Sequence, residues 1–245
     1  MIIFNKAFWQ KKIPDSPQIQ LFSLLFLAAT VIFSGIEFKT LHSVDGIIYA
    51  EMGKELSLRS FLTWGRLTWL DNPYFEHPHL TFWWVGLFMK IFGVSTLTSV
   101  LPIALISFFT VYLTYLLGKI LVDHRFGLLA ALALALTPQF LKNGRNPMLE
   151  PMLMFTIALA IYVHLRFLKN NKFSTWWLTG LCLGLAFLAK GLPALIAPVV
   201  IIAFQLYLHF VPHQNFPPLS WKRFWAYFSL ALVLALILCT LVDIW

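Results

Sequence analysis

Long apolar runs separated by short polar breaks constrain this chain more than any motif in it. Stretches with almost no charge occupy 19–36, 97–118, 126–141, 148–168, 176–190, 192–211 and 224–242. A helix that crosses a bilayer needs about 20 mostly apolar residues, because its backbone groups find no water to bond to. The pattern therefore predicts an all-α polytopic membrane protein. Only 11% of the residues are charged, against about 25% in soluble domains. The run at 19–36 follows Lys6, Lys11 and Lys12 but has no small-x-small cleavage site, so it reads as a retained first span. Cys182 and Cys239 both lie inside apolar runs and read as packing residues, not as a disulfide framework.

An eighth apolar stretch, 79–92, is short, aromatic and interrupted by Lys90, which suits a helix lying in the membrane interface. The distribution of charge supports that choice. If 79–92 does not cross, one face of the membrane holds Lys6, Lys11, Lys12, Lys119, Arg125, Arg166, Lys169, Lys172, Lys222 and Arg223, with only Asp15 and Asp123 as acids. The other face is balanced. Short loops rich in Lys and Arg stay cytoplasmic, so the chain is expected to make seven crossings with its N-terminus inside and an outer loop from Glu37 to about Thr96. The net charge of +8 is thereby a topology signal. Its scattered basic residues form no dense face for nucleic acid.

Within the outer loop, Ile48, Met52 and Leu56 recur at helical spacing, while Glu51, Lys54 and Glu55 fall elsewhere on the wheel. This predicts a short amphipathic helix over 45–59 on the outer leaflet. Asp45 opens it and suits an N-cap. A second surface helix is expected after Pro78, joined to the first by a connector bearing Trp and Pro. The segment 212–221 reads as a polar, proline-rich linker.

Several ionisable residues are then out of the ordinary. Glu76, His77 and His79 crowd around Pro78. Arg145 and Glu150 bracket the next outer loop, and Lys190 ends the run LTGLCLGLAFLAKG. Each has a bland explanation: an acid suits a helix start, and a lysine snorkels to the interface. In the seven-crossing topology, however, Asp45, Glu76, His77, His79, Arg145, Glu150 and Lys190 all fall on the outer face. A carboxylate can take the proton of an acceptor hydroxyl, and cations can hold a departing phosphate. That combination suits group transfer from an anionic lipid. Glu76 with His77 or His79 offers metal-type ligands without a clear fourth, so no metal is assigned.

The motifs stand in a recognisable order: Asp-x-x-x-Tyr at 45–49, Tyr-Phe-Glu-His-Pro-x-Leu at 74–80, Arg-x-x-x-x-acid-Pro at 145–151, and Gly-Leu-Ala-Phe-Leu-x-Lys-Gly at 184–191. The combination, over about 15–245, resembles the polyprenyl-phosphate-dependent glycosyltransferases of the protein mannosyltransferase and aminoarabinose transferase group. That resemblance implies the GT-C membrane fold with two juxtamembrane helices in the first outer loop. It also implies a polyprenyl-phosphate-linked sugar as donor and an acceptor that is a lipid, a protein or a cell-envelope glycan. It places the protein in the plasma membrane with its active face extracytoplasmic, needs no cofactor, and leaves no role for nucleic acid. By the same resemblance Asp45 is the general base and Glu150 positions the acceptor. Tyr49, Tyr74, His77, His79, Arg145 and Lys190 bind the donor phosphate, with Glu76 in support, and transfer inverts the anomeric carbon.

The chain also departs from the family pattern. Gly46 replaces a frequent glutamate, Ile48 a frequent basic residue, His79 a second proline, and Glu150 the usual aspartate. Members are about twice this length, so the chain reads as a fragment, a truncated product or a shortened relative, lacking the C-terminal half. Two functions follow: an active glycosyltransferase module, or a catalytically inactive lipid-binding or structural relative. A transporter fits less well, because the charged groups gather at one face and not at the midplane.

Overall fold

The computed structural model describes residues 16–243 except 39, 42, 171–175, 212–215 and 217–219. The expected proline-rich linker at 212–221 lies largely outside the described residues. The chain is a helical bundle: α1 Pro17–Phe33, α2 Val44–Leu58, α3 Leu80–Phe92, α4 Thr96–Leu121, α5 His124–Ala135, α6 Pro138–Gly144, α7 Leu149–Asn170, α8 Trp176–Lys190, α9 Ile196–Phe210 and α10 Trp221–Asp243. Among the described residues, four helical stretches are long and apolar enough to cross a membrane: Thr96–Leu121, Leu149–Lys169, Leu192–Phe210 and Lys222–Thr240. Helices α1, α3 and α8 are shorter apolar helices.

The single helix expected over 126–141 is instead two. Helices α5 and α6 meet at an angle of 67° around Leu136 and Thr137. Pro138 explains the break: its ring disfavours a helical residue before it, and it is then well placed to start the next helix. The stretch beginning at 192 also differs from one uniform helix, opening with a 3₁₀ turn, Leu192–Leu195, before α9.

Two ends of the bundle can be told apart. At one end Tyr115 of α4 donates to His124 Nδ1 (2.9 Å), and His124 Nε2 donates to Gln20 Oε1 of α1 (3.0 Å). This fastens the turn at 122–124 to the start of α1, two segments that the charge argument put on one face. At the other end Arg145 donates to the Ser34 carbonyl just beyond α1, and Gly191 packs on Pro78. The segment leading into α3 and the turn just after α8 therefore meet at the end opposite the His124 triad.

Helices α2 and α3 form a layer of their own at this second end. Met52, Leu56 and Phe82 are buried between them, with Ile48 partly buried beside them, as the spacing predicts. Each such apolar side chain contributes roughly 1.5–3 kcal/mol when removed from water. The helices cross at Gly53 and Gly86, where a Cβ on Gly53 would lie 2.5 Å from Val85. Helix α3 is more than a surface helix: Trp84 Nε1 donates to the Pro102 carbonyl of α4 (3.0 Å), and Val85 and Met89 pack beside Ile103. Lys90 does not reach outward. Its Nζ donates to the carbonyls of Ser57 (2.9 Å) and Arg59 (2.7 Å), satisfying the C-terminal end of α2.

Behind this layer, α7, α8, α9 and α10 share a core around Phe167, Leu168, Leu183, Phe224 and Tyr227. Helices α8 and α10 approach through Gly180 and Gly184, which rest on Ala231, Ala235 and Leu238. Both cysteines are buried there as thiols outside any disulfide.

Candidate active site

Asp45 does not cap α2, contrary to the sequence expectation. Ser43 is the N-cap: its Oγ accepts from the Gly46 N–H at 3.1 Å. Asp45 sits in the first turn with an exposed side chain. Capping therefore does not account for the acid at 45, although an acid in the first turn still suits the helix dipole. Gly46 belongs to the same arrangement, because a Cβ there would fall 2.5 Å from Ser43 Oγ and 3.7 Å from Pro147. The 145–148 turn thus packs against the start of α2.

One turn after Asp45, on the same face of α2, stands Tyr49. Its ring meets His77 edge-on at 5.9 Å and Phe82 at 5.5 Å. Tyr74 stands on the other side of the same two rings, at 6.2 and 6.1 Å. Tyr49 is the electrostatic meeting point of the site. Burial pushes its phenol up to about 12, and Asp45, Glu150 and Glu76 add to the shift. Burial likewise raises Tyr74, with Tyr49, Glu76 and Asp45 contributing. Carboxylates from three separate parts of the chain thus add to the shift at Tyr49, and two of them, Asp45 and Glu76, also add to that at Tyr74, so both hydroxyls stay protonated at neutral pH.

An open cavity of about 1160 Å³ lies beside this cluster. Its walls are the connector (Gly65, Arg66, Thr68), the segment from Pro73 to His79, and the end of α8 with the turn after it, including Phe187 and Lys190. Tyr74, Glu76, His77, His79 and Lys190 therefore share one cavity although they are far apart in sequence. His79 is the N-cap residue of α3, so the helix begins at Leu80 and not at Pro78, and its Nε2 donates to the Gly65 carbonyl (3.0 Å). Tyr74 makes a long contact with Glu76 Oε2 (3.4 Å).

Glu150 and Lys190 were read as separate functional residues. The structure pairs them directly: Lys190 Nζ donates to Glu150 Oε1. The second carboxylate oxygen, Oε2, is buried without a hydrogen-bond partner among the described residues. Arg145 is placed apart from the cavity wall. Its guanidinium reaches back to the Ser34 carbonyl, where it satisfies the end of α1. Arg66 is the residue missed by sequence reading. It lines the cavity as an additional cation, and only its position in an irregular loop kept it from notice. Among the described residues, no group of three or more His, Cys, Asp or Glu side chains is arranged to hold a metal ion.

Residues 76–245 match the family model for dolichyl-phosphate-mannose-protein mannosyltransferases. The chain belongs to this family. Glu76, His77, Arg145, Glu150 and Lys190 fall inside the matched region, while Asp45, Tyr49 and Tyr74 precede it. A putative mannosyltransferase of Bacillus subtilis is 33% identical over 132 residues, covering 54% of this chain and 19% of that protein. The undecaprenyl phosphate-α-4-amino-4-deoxy-L-arabinose arabinosyl transferase of Pectobacterium carotovorum is 28% identical over 197 residues, covering 77% of this chain and 34% of its own. This mannosyltransferase family member thus spans between a fifth and a third of the length of these relatives.

Solved structures give the fold. ArnT from Cupriavidus metallidurans, bound to undecaprenyl phosphate, superposes with a TM-score of 0.76 at 18% identity, over 93% of this chain and 41% of that one. The Saccharomyces cerevisiae protein O-mannosyltransferase complex, bound to its sugar donor, gives 0.70 at 16% identity, over 97% and 34%. The architecture is the GT-C membrane fold that the motif order implied, and the protein is a multi-pass membrane protein.

Proposed function

We propose that this chain carries the donor-side machinery of a glycosyltransferase that moves a sugar from a polyprenyl phosphate to an acceptor at the extracytoplasmic face of the plasma membrane. The observation that carries the proposal is the cavity in which Tyr74, His77 and Lys190 meet, with Asp45 and Glu150 acting on the adjoining Tyr49. Membership of the family and the undecaprenyl phosphate bound by ArnT support it. In this reading the chain makes seven crossings with α2 and α3 on the outer side.

The reaction follows from the groups present. The acceptor hydroxyl gives its proton to Asp45, the exposed carboxylate at the start of α2. Its oxygen attacks the anomeric carbon from the face opposite the phosphate. The bond from that carbon to the phosphate oxygen breaks, and the configuration inverts. The departing lipid phosphate gains negative charge. Lys190 and His77 receive it, with Tyr49 and Tyr74 donating hydrogen bonds. Lys190 starts from its pair with Glu150, so phosphate competes with that carboxylate. As Lys190 turns to the phosphate, Glu150 is released to accept a hydrogen bond from the acceptor. His79 and Glu76 shape the cavity, and Arg145 braces the 145–148 turn near Asp45.

The test is a transfer assay with a polyprenyl-phosphate sugar and the purified full-length protein. Asp45→Asn is expected to lower the rate by about 10²–10⁴, the usual contribution of a positioned general base. Full activity in that variant removes Asp45 from the chemistry. A non-catalytic lipid-phosphate binder is the second reading, favoured by Gly46 and Ile48 at positions where the family often carries polar residues. Turnover by the wild-type protein excludes it.

A further inference from the structure

The connector between α2 and α3 holds an unfavourable turn. Strands Thr68–Trp69 and Asn72–Pro73 pair antiparallel, and the two residues between them, Leu70 and Asp71, have φ of 51° and 62°. Two-residue turns of this hand are normally built from Asn-Gly or Gly-Gly, and leucine is a poor occupant of the left-handed region. Within the hairpin, Asn72 Nδ2 donates to the Leu70 carbonyl at 3.0 Å. The main support comes from a distant residue on α2.

That residue is Glu55, whose side chain is only 13% exposed. Its Oε1 accepts the Leu70 N–H at 2.7 Å, across fifteen residues of chain. Its Oε2 accepts from the Thr68 hydroxyl and from Arg59 at 3.3 Å. Arg59 also donates to Thr68 Oγ1 and stands 3.8 Å from Asp71. One carboxylate thus ties the incoming strand and the first turn residue to the helix that bears Asp45 and Tyr49, and its partner Arg59 reaches the second turn residue, Asp71. The hairpin's outgoing strand leads directly into Tyr74 and His77, and Thr68 and Pro73 are themselves part of the cavity wall. Tyr74 N–H donates to the Leu67 carbonyl at 3.0 Å, so the ring's position follows from the hairpin's. Strained backbone that surrounding structure over-determines clusters at ligand-binding sites.

The geometry points to Glu55 as a positioning residue: it holds the 68–73 hairpin in its left-handed turn and so sets where Tyr74 and His77 stand relative to Lys190, and how tightly the cavity grips a lipid phosphate. This rests on reading the cavity as a lipid-phosphate site. Glu55 is not part of the cavity wall and acts through the hairpin alone.

The test uses full-length protein titrated with undecaprenyl phosphate, with amide exchange followed over 66–77. Glu55→Gln is expected to raise the Kd about tenfold, the order expected when a bond to a charged group is weakened, and to speed exchange at 68–77. Adding Leu70→Asn and Asp71→Gly to Glu55→Gln is expected to restore both, because Asn-Gly forms this turn unaided. A plain structural staple would lower Tm and leave the Kd unchanged. An unchanged Kd in Glu55→Gln overturns the inference, as does a loss that the Asn-Gly turn fails to recover. If Glu55→Gln alone does not fold, the triple variant decides: a wild-type Kd supports the inference, and a weak Kd or no folded protein overturns it. Wild-type protein that binds no undecaprenyl phosphate sinks the reading of the cavity itself, whereas binding that Glu55→Gln leaves untouched sinks only the role of Glu55.

Discussion

Helices α2 and α3 approach across Gly53 and Gly86, and helices α8 and α10 approach across Gly180 and Gly184, yet the polar groups around the two contacts are used in opposite ways. Near α2 and α3 they are carboxylates, a lysine and a histidine around a cavity: Glu76, His77 and Lys190 on the wall, Asp45 and Glu150 beside it. Between α7, α8 and α10 they are the neutral-type groups of His164, Thr179 and Tyr227, all buried. Tyr227 bonds Thr179 and lies 3.2 Å from His164 Nδ1 while its ring stacks on Phe167 at 4.1 Å. Lipid offers no hydrophobic drive between helices, so the bundle relies on close packing and a few internal hydrogen bonds. The α2–α3 layer adds burial of Met52, Leu56 and Phe82, and this leaves its polar residues available for a ligand. Under the proposed function, one region holds the bundle together and the other holds a lipid phosphate.

If that division is right, variants in the two regions should affect different measurements. The largest effect on binding is expected at Lys190. Lys190→Met should weaken binding of a polyprenyl phosphate by roughly 10–100-fold, since it removes a charge-assisted contact, while Tm changes little. A large fall in Tm with unchanged binding would make Lys190 a structural partner of Glu150 and erase the contrast. Next is Gly180→Val. A Cβ there would meet the Ala231 carbonyl at 2.6 Å, so overpacking should cost about 1–3 kcal/mol, read as a lower Tm in detergent, with the lipid-phosphate Kd of the folded protein retained. Tyr227→Phe should cost less, about 0.6–1.7 kcal/mol, the range found for hydrogen bonds between membrane helices. A loss of binding in either bundle variant would couple the two regions.

The smallest effect is a pH dependence. The Tyr49 phenol is raised to about 12 in the fold, chiefly by burial and then by Asp45, Glu150 and Glu76. An unfolded tyrosine loses its proton near pH 10. Between these values the folded state binds the proton more tightly, so stability falls as pH rises through about 10 to 12. Tyr49→Phe should flatten that alkaline slope. An identical slope in the variant would mean that the Tyr49 phenol is not raised in the fold.

Much of the architecture was legible because it depends on local composition. Apolar runs located the four helical stretches that are long enough to cross a membrane, and the spacing of Ile48, Met52 and Leu56 gave α2 its buried face. Failures of the sequence reading came where a local rule competed with a distant partner. An aspartate near a helix start reads as a cap, but Ser43 lies two residues earlier and does the work. Pro138, which the reading of 126–141 as one span passed over, divides that run because its ring disfavours a helical residue before it. The hairpin at 68–73 carried no signal, since Leu-Asp is a poor turn sequence and its support lies on α2.

The candidate site divides in the same way. Asp45, Tyr49, Tyr74, Glu76, His77, Glu150 and Lys190 were all found from motif order and from the cost of ionisable groups at membrane depth. The sequence by itself determined that this chain is a membrane protein, which residues could not be explained by lipid, and which family they resemble. Those are properties of composition and short spacing, written into each segment separately. Only the tertiary structure decided that Lys190 is paired with Glu150, that Arg145 serves the end of α1, and that Glu55 holds the loop bearing Tyr74. Each of these joins groups from separate segments, and a contact of that kind exists only once helix packing has brought its two sides together.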